Sequence, residues 1–260
     1  MYAISLRRGL AWVASVALMS IGVVGLSATT ASALPAQCTG AETSGNDTIN
    51  CPFLLIGQSI NSLGGNDSIT IVLNAGGNVN SGAGNDFISA GNVDAAANFI
   101  TGNGNDTVQI LGNSTGTINT GANDDQVNVT GNSSGTIDTA GGTDRVEVFG
   151  TVLADAMHLG SGSDFANLAT VSLADGASIE GDDGDDTFTV GVCNLSTLSG
   201  EGGNDTIDVV DANGCTVSGG AGNDDLHVGA QATGTVDGGS GTDTCDEDIP
   251  FLGTESNCEV

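Results

Sequence analysis

Apolar residues recur along this chain at fixed positions of a repeat that is 19 to 22 residues long. Two apolar positions lie two residues apart in each repeat, as Ile69 and Ile71 do, and Ile60 represents a third position before them. Alternating apolar positions, mostly β-branched, are typical of a strand with one buried face. The third position lies on the far side of a glycine-rich turn, so each repeat predicts a turn, a short strand, a turn and a short strand.

An aspartate fixes the register of the repeats, and we number positions in a repeat from it, with the aspartate at position 0. The aspartates are Asp47, Asp67, Asp86, Asp106, Asp125, Asp144, Asp164, Asp186, Asp205, Asp224 and Asp243. The apolar positions are then +2, +4 and −7. No single repeat can bury its apolar face, but stacked repeats can, by pairing equivalent strands in parallel.

The repeats therefore predict an all-β fold, a parallel β-roll or β-solenoid of about ten 19–20-residue coils over residues 45–246. Its thin core consists of Ile, Val and Leu ladders. An antiparallel sandwich is the alternative, but the constant register of the repeats and the absence of hairpin alternation argue against it.

Residues 1–33 predict a Sec-type signal peptide. Arg7 and Arg8 precede an apolar run from Leu10 to Leu26, and residues 31–33 read Ala-Ser-Ala, a small-residue cleavage signal. A transmembrane anchor is the alternative, but the run is at the lower limit for spanning a bilayer. We expect cleavage near Ala33, secretion, and no membrane insertion afterwards. Residues 34–52 are predicted to form an N-terminal cap.

Charge narrows the choice of partners. The chain has 32 acidic residues, and cleavage at Ala33 leaves Arg145 as the only lysine or arginine. Such a surface repels nucleic acids and anionic membranes and attracts multivalent cations. We therefore expect no nucleic acid partner.

The repeated aspartate predicts a metal site. Equivalent residues of a parallel stack lie about 4.8 Å apart, so the carboxylates form a column of like charge that needs a counter-ion. Carboxylates beside the carbonyls of glycine turns are hard oxygen ligands in a flexible cage, which suits Ca²⁺ better than Mg²⁺. Zinc is not expected, because neither His158 nor His227 repeats.

The turns themselves resemble a known family. "GGAGNDDLH" at 219–227 and "GGSGTDTCD" at 238–246 match the pattern G-G-x-G-x-D-x-U-x. The chain resembles RTX, or haemolysin-type, calcium-binding repeat proteins, and the resemblance covers residues 45–246. It implies several Ca²⁺ ions between consecutive turns, held by aspartate carboxylates and glycine carbonyls.

The implied ligands are Asp47, Asp67, Asp86, Asp106, Asp125, Asp164, Asp186, Asp205, Asp224 and Asp243, with Gly203, Gly220, Gly222, Gly239 and Gly241. The turns that end at Asp125 and Asp144 each lack one expected glycine, and Asp144 is not among the predicted ligands. The opposite turn, which reads "GNSTGTI", "GNSSGTI" or "AQATGTV", carries no such aspartate. We therefore expect calcium along one edge only.

Six cysteines in an exported chain favour disulfides over metal binding. Fifteen pairings are possible. Proximity in sequence suggests Cys38–Cys51 and Cys245–Cys258 at the two ends, the second within a C-terminal cap at 245–260, and Cys193–Cys215 between neighbouring coils.

The sequence contains no arrangement that predicts catalysis. The acidic cluster around Asp182 and Asp186 would need a cleft to work as a general acid, and a flat solenoid lacks one. We expect a non-enzymatic, secreted calcium-binding protein with calcium-dependent folding and a structural or surface role, whose cell-surface or polysaccharide partner the sequence does not identify. One alternative is an ice-binding solenoid, against which position −3 carries no threonine. The other is a non-catalytic module of a polysaccharide-acting system.

Overall fold

A computed structural model describes residues 33–153, 156–174, 176–229, 233–247 and 252–259. The predicted signal peptide thus lies outside the described residues except for Ala33. The strands are β1 (Thr48–Cys51), β2 (Ser59–Asn61), β3 (Ser68–Ala75), β4 (Asn78–Ala83), β5 (Phe87–Val93), β6 (Asn98–Asn103), β7 (Thr107–Ile110), β8 (Thr117–Ala122), β9 (Gln126–Val129), β10 (Thr136–Asp138), β11 (Arg145–Val148), β12 (Val152–Leu153), β13 (Ala156–His158), β14 (Phe165–Ala174), β15 (Ser178–Glu180), β16 (Thr187–Asn194), β17 (Thr197–Gly202), β18 (Thr206–Ala221), β19 (Asp225–Val228), β20 (Thr233–Ser240), β21 (Thr244–Glu247) and β22 (Thr254–Ser256).

Strand pairing confirms the predicted parallel β-solenoid. Each strand pairs in parallel with the equivalent strand of the next coil, as Ile49 with Ile69 and Ile207 with Leu226 do. The strands after the aspartates form one sheet face, and the strands before the next glycine-rich turn form the other. β18 belongs to both faces, because it continues around the opposite turn without a break.

The core lies between these two faces and consists of the predicted ladders. Described residues at positions +2, +4 and −7 are buried, except that Cys245 is partly buried. The largest side chains in the core are Phe99 and Phe188, which replace aliphatic residues in their ladders. No helix among the described residues is long and apolar enough to cross a membrane.

The structure closes the cysteines as three disulfides, Cys38–Cys51, Cys193–Cys215 and Cys245–Cys258. These are the pairs that proximity in sequence suggests. The first and third join the terminal segments to the first and last coils. The second links the opposite turns of two adjacent coils, where β16 pairs with β18.

Candidate metal centre

The repeated aspartates form a continuous buried row along the glycine-rich edge of the solenoid. All eleven side chains, from Asp47 to Asp243, are at most 8% exposed. Each aspartate directly precedes a strand of the first sheet face. The parallel register of these strands therefore sets the register of the carboxylates. The row thus lies inside the edge rather than on its surface.

Backbone amides hold one oxygen of each carboxylate. The amide of each aspartate from Asp47 to Asp224 donates a hydrogen bond to the Oδ1 atom of the aspartate in the next coil, at 2.6–2.9 Å. This ladder runs along the whole stack and fixes the orientation of every carboxylate. At its end, the amide of Asp243 donates to Glu259 Oε2 at 2.7 Å.

In every repeated aspartate except Asp47, the second oxygen of the carboxylate has no such partner. Among the described residues, the buried Oδ2 atoms without a hydrogen-bond partner are those of Asp67, Asp86, Asp106, Asp125, Asp144, Asp164, Asp186, Asp205, Asp224 and Asp243. A buried carboxylate oxygen without a donor or counter-charge is costly. Ten of them in one row indicate a site built for a positive charge.

Burial raises the pKa of the nine repeated aspartates from Asp67 to Asp224, because it removes the water that stabilises their charge. Desolvation is the largest cause throughout, and neighbouring aspartates add repulsion, while hydrogen bonds from the backbone lower the pKa. The pKa of Asp186 is raised to about 8, that of Asp125 to about 7 and that of Asp205 to about 6. Protons therefore compete with any cation for this row near neutral pH.

Glycine carbonyls stand beside the carboxylates. Gly203, Gly222 and Gly241 have φ values of 142°, 146° and 152°, which favour glycine. A Cβ on Gly222 would overlap the carbonyl oxygen of Gly203, and one on Gly241 would overlap that of Gly222, so these carbonyls point along the stack. Gly220 and Gly239 repeat this arrangement two residues earlier in the turn. The predicted carbonyl ligands thus lie in the same glycine-rich turns that end at the predicted carboxylate ligands.

Two coils differ from the sequence expectation. Asp144, whose turn lacks a glycine, lies in the row with the same buried, unpartnered Oδ2 as its neighbours. Asp47 begins the row, and Thr43 donates to both of its carboxylate oxygens, at 2.6 Å from the amide and 2.8 Å from the hydroxyl. Asp47 is therefore the repeated aspartate in which hydrogen bonds replace a counter-ion most completely.

The outer surface of the same edge carries a second ladder, which runs in the opposite direction. Position −1 is mainly asparagine or aspartate, and its Oδ1 atom accepts a hydrogen bond from the amide of position −1 in the next coil. Examples are Asn85 to Asn66 at 2.9 Å and Asn223 to Asn204 at 2.9 Å. Side chains at position −1 and at position 0 thus both form hydrogen bonds between coils. Of these two ladders, the buried carboxylate ladder is the one that leaves Oδ2 atoms without a hydrogen-bond partner.

The donor set fits Ca²⁺. Carboxylates of successive coils and adjacent carbonyls supply hard oxygen atoms, and no histidine or cysteine side chain belongs to the row. His158 does not belong to the row: its Nδ1 atom is 3.0 Å from Glu180 Oε2 and 3.9 Å from Asp182 Oδ2. Sequence reasoning missed position −5, which is buried beside the row and carries Ser62, Ser81, Thr101, Thr120 and Thr139 in successive coils.

No family model matches the chain, and no curated protein matches it. The RTX resemblance therefore rests on the turn motifs and on a compatible fold. A solved structure that is similar in fold is described as the crystal structure of a hyperactive, Ca²⁺-dependent, β-helical antifreeze protein from an Antarctic bacterium. It is 22% identical in sequence, with a TM-score of 0.69 over 89% of this chain and 80% of that one. At this identity the similarity establishes the β-solenoid fold.

Proposed function

We propose that this chain is an exported, non-enzymatic calcium-binding protein, that Ca²⁺ fills the aspartate row, and that calcium is needed for the solenoid to fold. The observation that carries the proposal is the row of ten buried Oδ2 atoms without hydrogen-bond partners. Stacking like charges at about 4.8 Å is unfavourable, and a divalent cation shared between adjacent coils converts this repulsion into attraction. Binding free energy then contributes directly to folding.

Export and a structural or surface role have separate support. Three disulfides are typical of proteins that fold in an oxidising compartment. The strongly acidic surface keeps such a protein soluble and unattracted to nucleic acids. The repeats occupy nearly all of the described residues, and a stack of equal coils serves as a rigid spacer or a flat surface.

The test is a calcium titration of the protein after removal of metal ions, followed by far-ultraviolet circular dichroism and by equilibrium dialysis. We expect the β signal to rise cooperatively with calcium and several ions to bind, up to one for each adjacent pair of coils. Mg²⁺ at equal concentration serves as the control and should have a smaller effect. A metal-free protein with the same β signal and melting temperature would contradict the proposal.

Ice binding is a second candidate, which one surface of the molecule favours. The outward-facing position −8 lies on the second sheet face, and Thr197, Thr216, Thr235 and Thr254 occupy it in four adjacent strands, paired in register. Position −3, by contrast, lacks threonine. A regular array of hydroxyl and methyl groups on a rigid sheet can order water, and the solved structure similar in fold is described as an antifreeze protein.

Thermal hysteresis of the calcium-loaded protein tests this candidate. Replacing Thr216 and Thr235 with lysine should abolish the hysteresis, because the long charged side chains interrupt the array. Replacing Thr206, an exposed threonine of the first face, with lysine is the matched control and should preserve it. Absence of hysteresis in the unmodified protein, or equal loss in the control variant, would refute ice binding at this face.

A further inference from the structure

The buried side chain next to each carboxylate changes in kind along the solenoid. Position −5 points into the same edge as the aspartate and is buried in every coil from the second onward. It is occupied by hydroxyl side chains in five coils, by leucine in one and by glycine in four. In order they are Ser62, Ser81, Thr101, Thr120, Thr139, Leu159, Gly181, Gly200, Gly219 and Gly238.

In the first five of these coils, the hydroxyl proton has two competing acceptors. Thr101 Oγ1 donates to the Thr120 carbonyl at 2.8 Å, and Thr139 Oγ1 donates to the Leu159 carbonyl at 2.6 Å. The same hydroxyls also face the carboxylates of their own coils. One proton cannot serve both acceptors, and the buried hydroxyl of Thr120, which donates to no carbonyl, faces the carboxylate of Asp125. Hydroxyl, carboxylate and carbonyl oxygens thus converge with too few protons between them.

In the last four coils, the carboxylate takes the space of the missing side chain. A Cβ on Gly200 would overlap Asp205 Oδ2 and lie 2.6 Å from the Gly219 carbonyl oxygen. A Cβ on Gly219 would likewise overlap Asp224 Oδ2 and lie 2.5 Å from the Gly238 carbonyl oxygen. Here the carboxylate oxygen and the carbonyl oxygen of the next coil both border the place that a side chain at position −5 would take, and no hydroxyl lies there.

Leu159 separates these two arrangements. Its side chain is fully buried beside Asp164, and it offers no oxygen atom. The coil of Asp164 therefore lacks the hydroxyl oxygen of the coils before it, and it has an apolar side chain where the carboxylate lies in the coils after it.

We propose that the hydroxyls of Ser62, Ser81, Thr101, Thr120 and Thr139 are ligands or direct ligand supports for calcium, and that Leu159 divides the row into two separately loading segments. The hydroxyl segment runs from Asp67 to Asp144, and the glycine segment runs from Asp186 to Asp243. This inference rests on the proposed calcium function and specifies how that one edge is built.

Hydrogen–deuterium exchange of the unmodified protein at increasing calcium tests the division. Peptides from residues 60–145 and from residues 180–245 should gain protection with two different calcium midpoints. One shared midpoint for both groups would overturn the division. Absence of any calcium-dependent protection would instead refute the proposed function, so the two failures are distinguishable.

Substitution of Thr101 tests the role of the hydroxyl. Thr101→Val keeps the shape of the side chain and removes the hydroxyl, and we expect calcium affinity at the adjoining sites to fall about tenfold, as when a supporting group of a metal site is removed. Thr101→Ser should restore affinity to within about twofold, since the oxygen returns. Thr117→Val, on the outer face of β8 in the next coil, is the control.

Isothermal titration calorimetry measures these affinities. Equal calcium affinity for Thr101→Val and Thr117→Val would refute the ligand role. Should Thr101→Val fail to fold at any calcium concentration, the same substitution at Thr120, whose hydroxyl donates to no carbonyl, decides the question.

Discussion

Replacing Asp186 with asparagine should stabilise the calcium-free protein and destabilise the calcium-loaded one. Asparagine keeps the Oδ1 atom that accepts the Asp164 amide at 2.8 Å, and it replaces Oδ2 with a donor. Asp186 Oδ2 and the Gly200 carbonyl oxygen both border the place that a Cβ on Gly181 would take, the carbonyl at 2.7 Å from it. The new donor would therefore lie on the side of the carboxylate that faces this carbonyl. The substitution thus removes a buried charge while preserving the hydrogen-bond ladder.

The magnitude follows from the perturbed pKa. Burial raises the pKa of Asp186 from 3.8 to about 8, and one pKa unit corresponds to about 1.4 kcal/mol. The charged form therefore costs at most about 5–6 kcal/mol above pH 8 in the absence of a cation. Relaxation and water penetration reduce this figure, and we expect a gain of about 1–3 kcal/mol for the calcium-free variant.

Melting curves at pH 8, with and without calcium, measure both effects. The control is Asp185→Asn, because Asp185 is exposed and its Oδ1 also accepts a backbone amide, that of Asn204 at 2.7 Å. We expect Asp186→Asn to lower the calcium-loaded melting temperature more than the control does. Equal destabilisation of the calcium-free and calcium-loaded forms by Asp186→Asn would refute the reasoning, since the carboxylate would then act only as a hydrogen-bond acceptor.

Three further predictions concern pH, backbone and disulfides. The pKa values of Asp125 and Asp164 are raised to about 7, so the folded calcium-free protein binds more protons than the unfolded chain between about pH 4 and pH 8. Its free energy of unfolding, measured by denaturant titration, should therefore fall as pH rises through this range. A rise would contradict this prediction. Gly222→Ala should cost at least about 2 kcal/mol, because φ is 146° and the Cβ would overlap the Gly203 carbonyl, whereas Gly176→Ala, with open space around it, should cost about 1 kcal/mol. Peptide mapping of the non-reduced protein should recover Cys193 joined to Cys215, and free thiols at these positions would contradict the pairing.

The sequence predicted the fold well because the fold repeats. Each coil places Asp, +2, +4 and −7 in the same register, so a weak signal in one repeat is confirmed by the others, and Ile69, Val108 and Ile207 are all buried as expected. The column of buried carboxylates can be predicted from this register. The hydrogen bonds to the Oδ1 atoms cannot, because they depend on the rotation of each carboxylate toward the preceding coil.

Other features of the site could not be predicted for specific reasons. Thr101 and Thr120 point inward because β6 and β8 extend past the apolar position −7, and this extension is hard to predict because serine or threonine before a glycine turn is common in exposed loops. Thr43 and Glu259 complete the ends of the row, but both lie outside the repeat and therefore outside its register. Thr197, Thr216 and Thr235 recur at position −8 of the sequence, but the paired strands are needed to show that they form one outward array that continues to Thr254.

The most direct test of whether Ca²⁺ fills the aspartate row is equilibrium dialysis of the metal-free protein against ⁴⁵Ca²⁺. The calcium concentration should be millimolar, the affinity range of extracellular modules. Because ten buried Oδ2 atoms without hydrogen-bond partners stand in one row, the account predicts several bound ions per chain. Fewer than about two ions per chain under these conditions would contradict it.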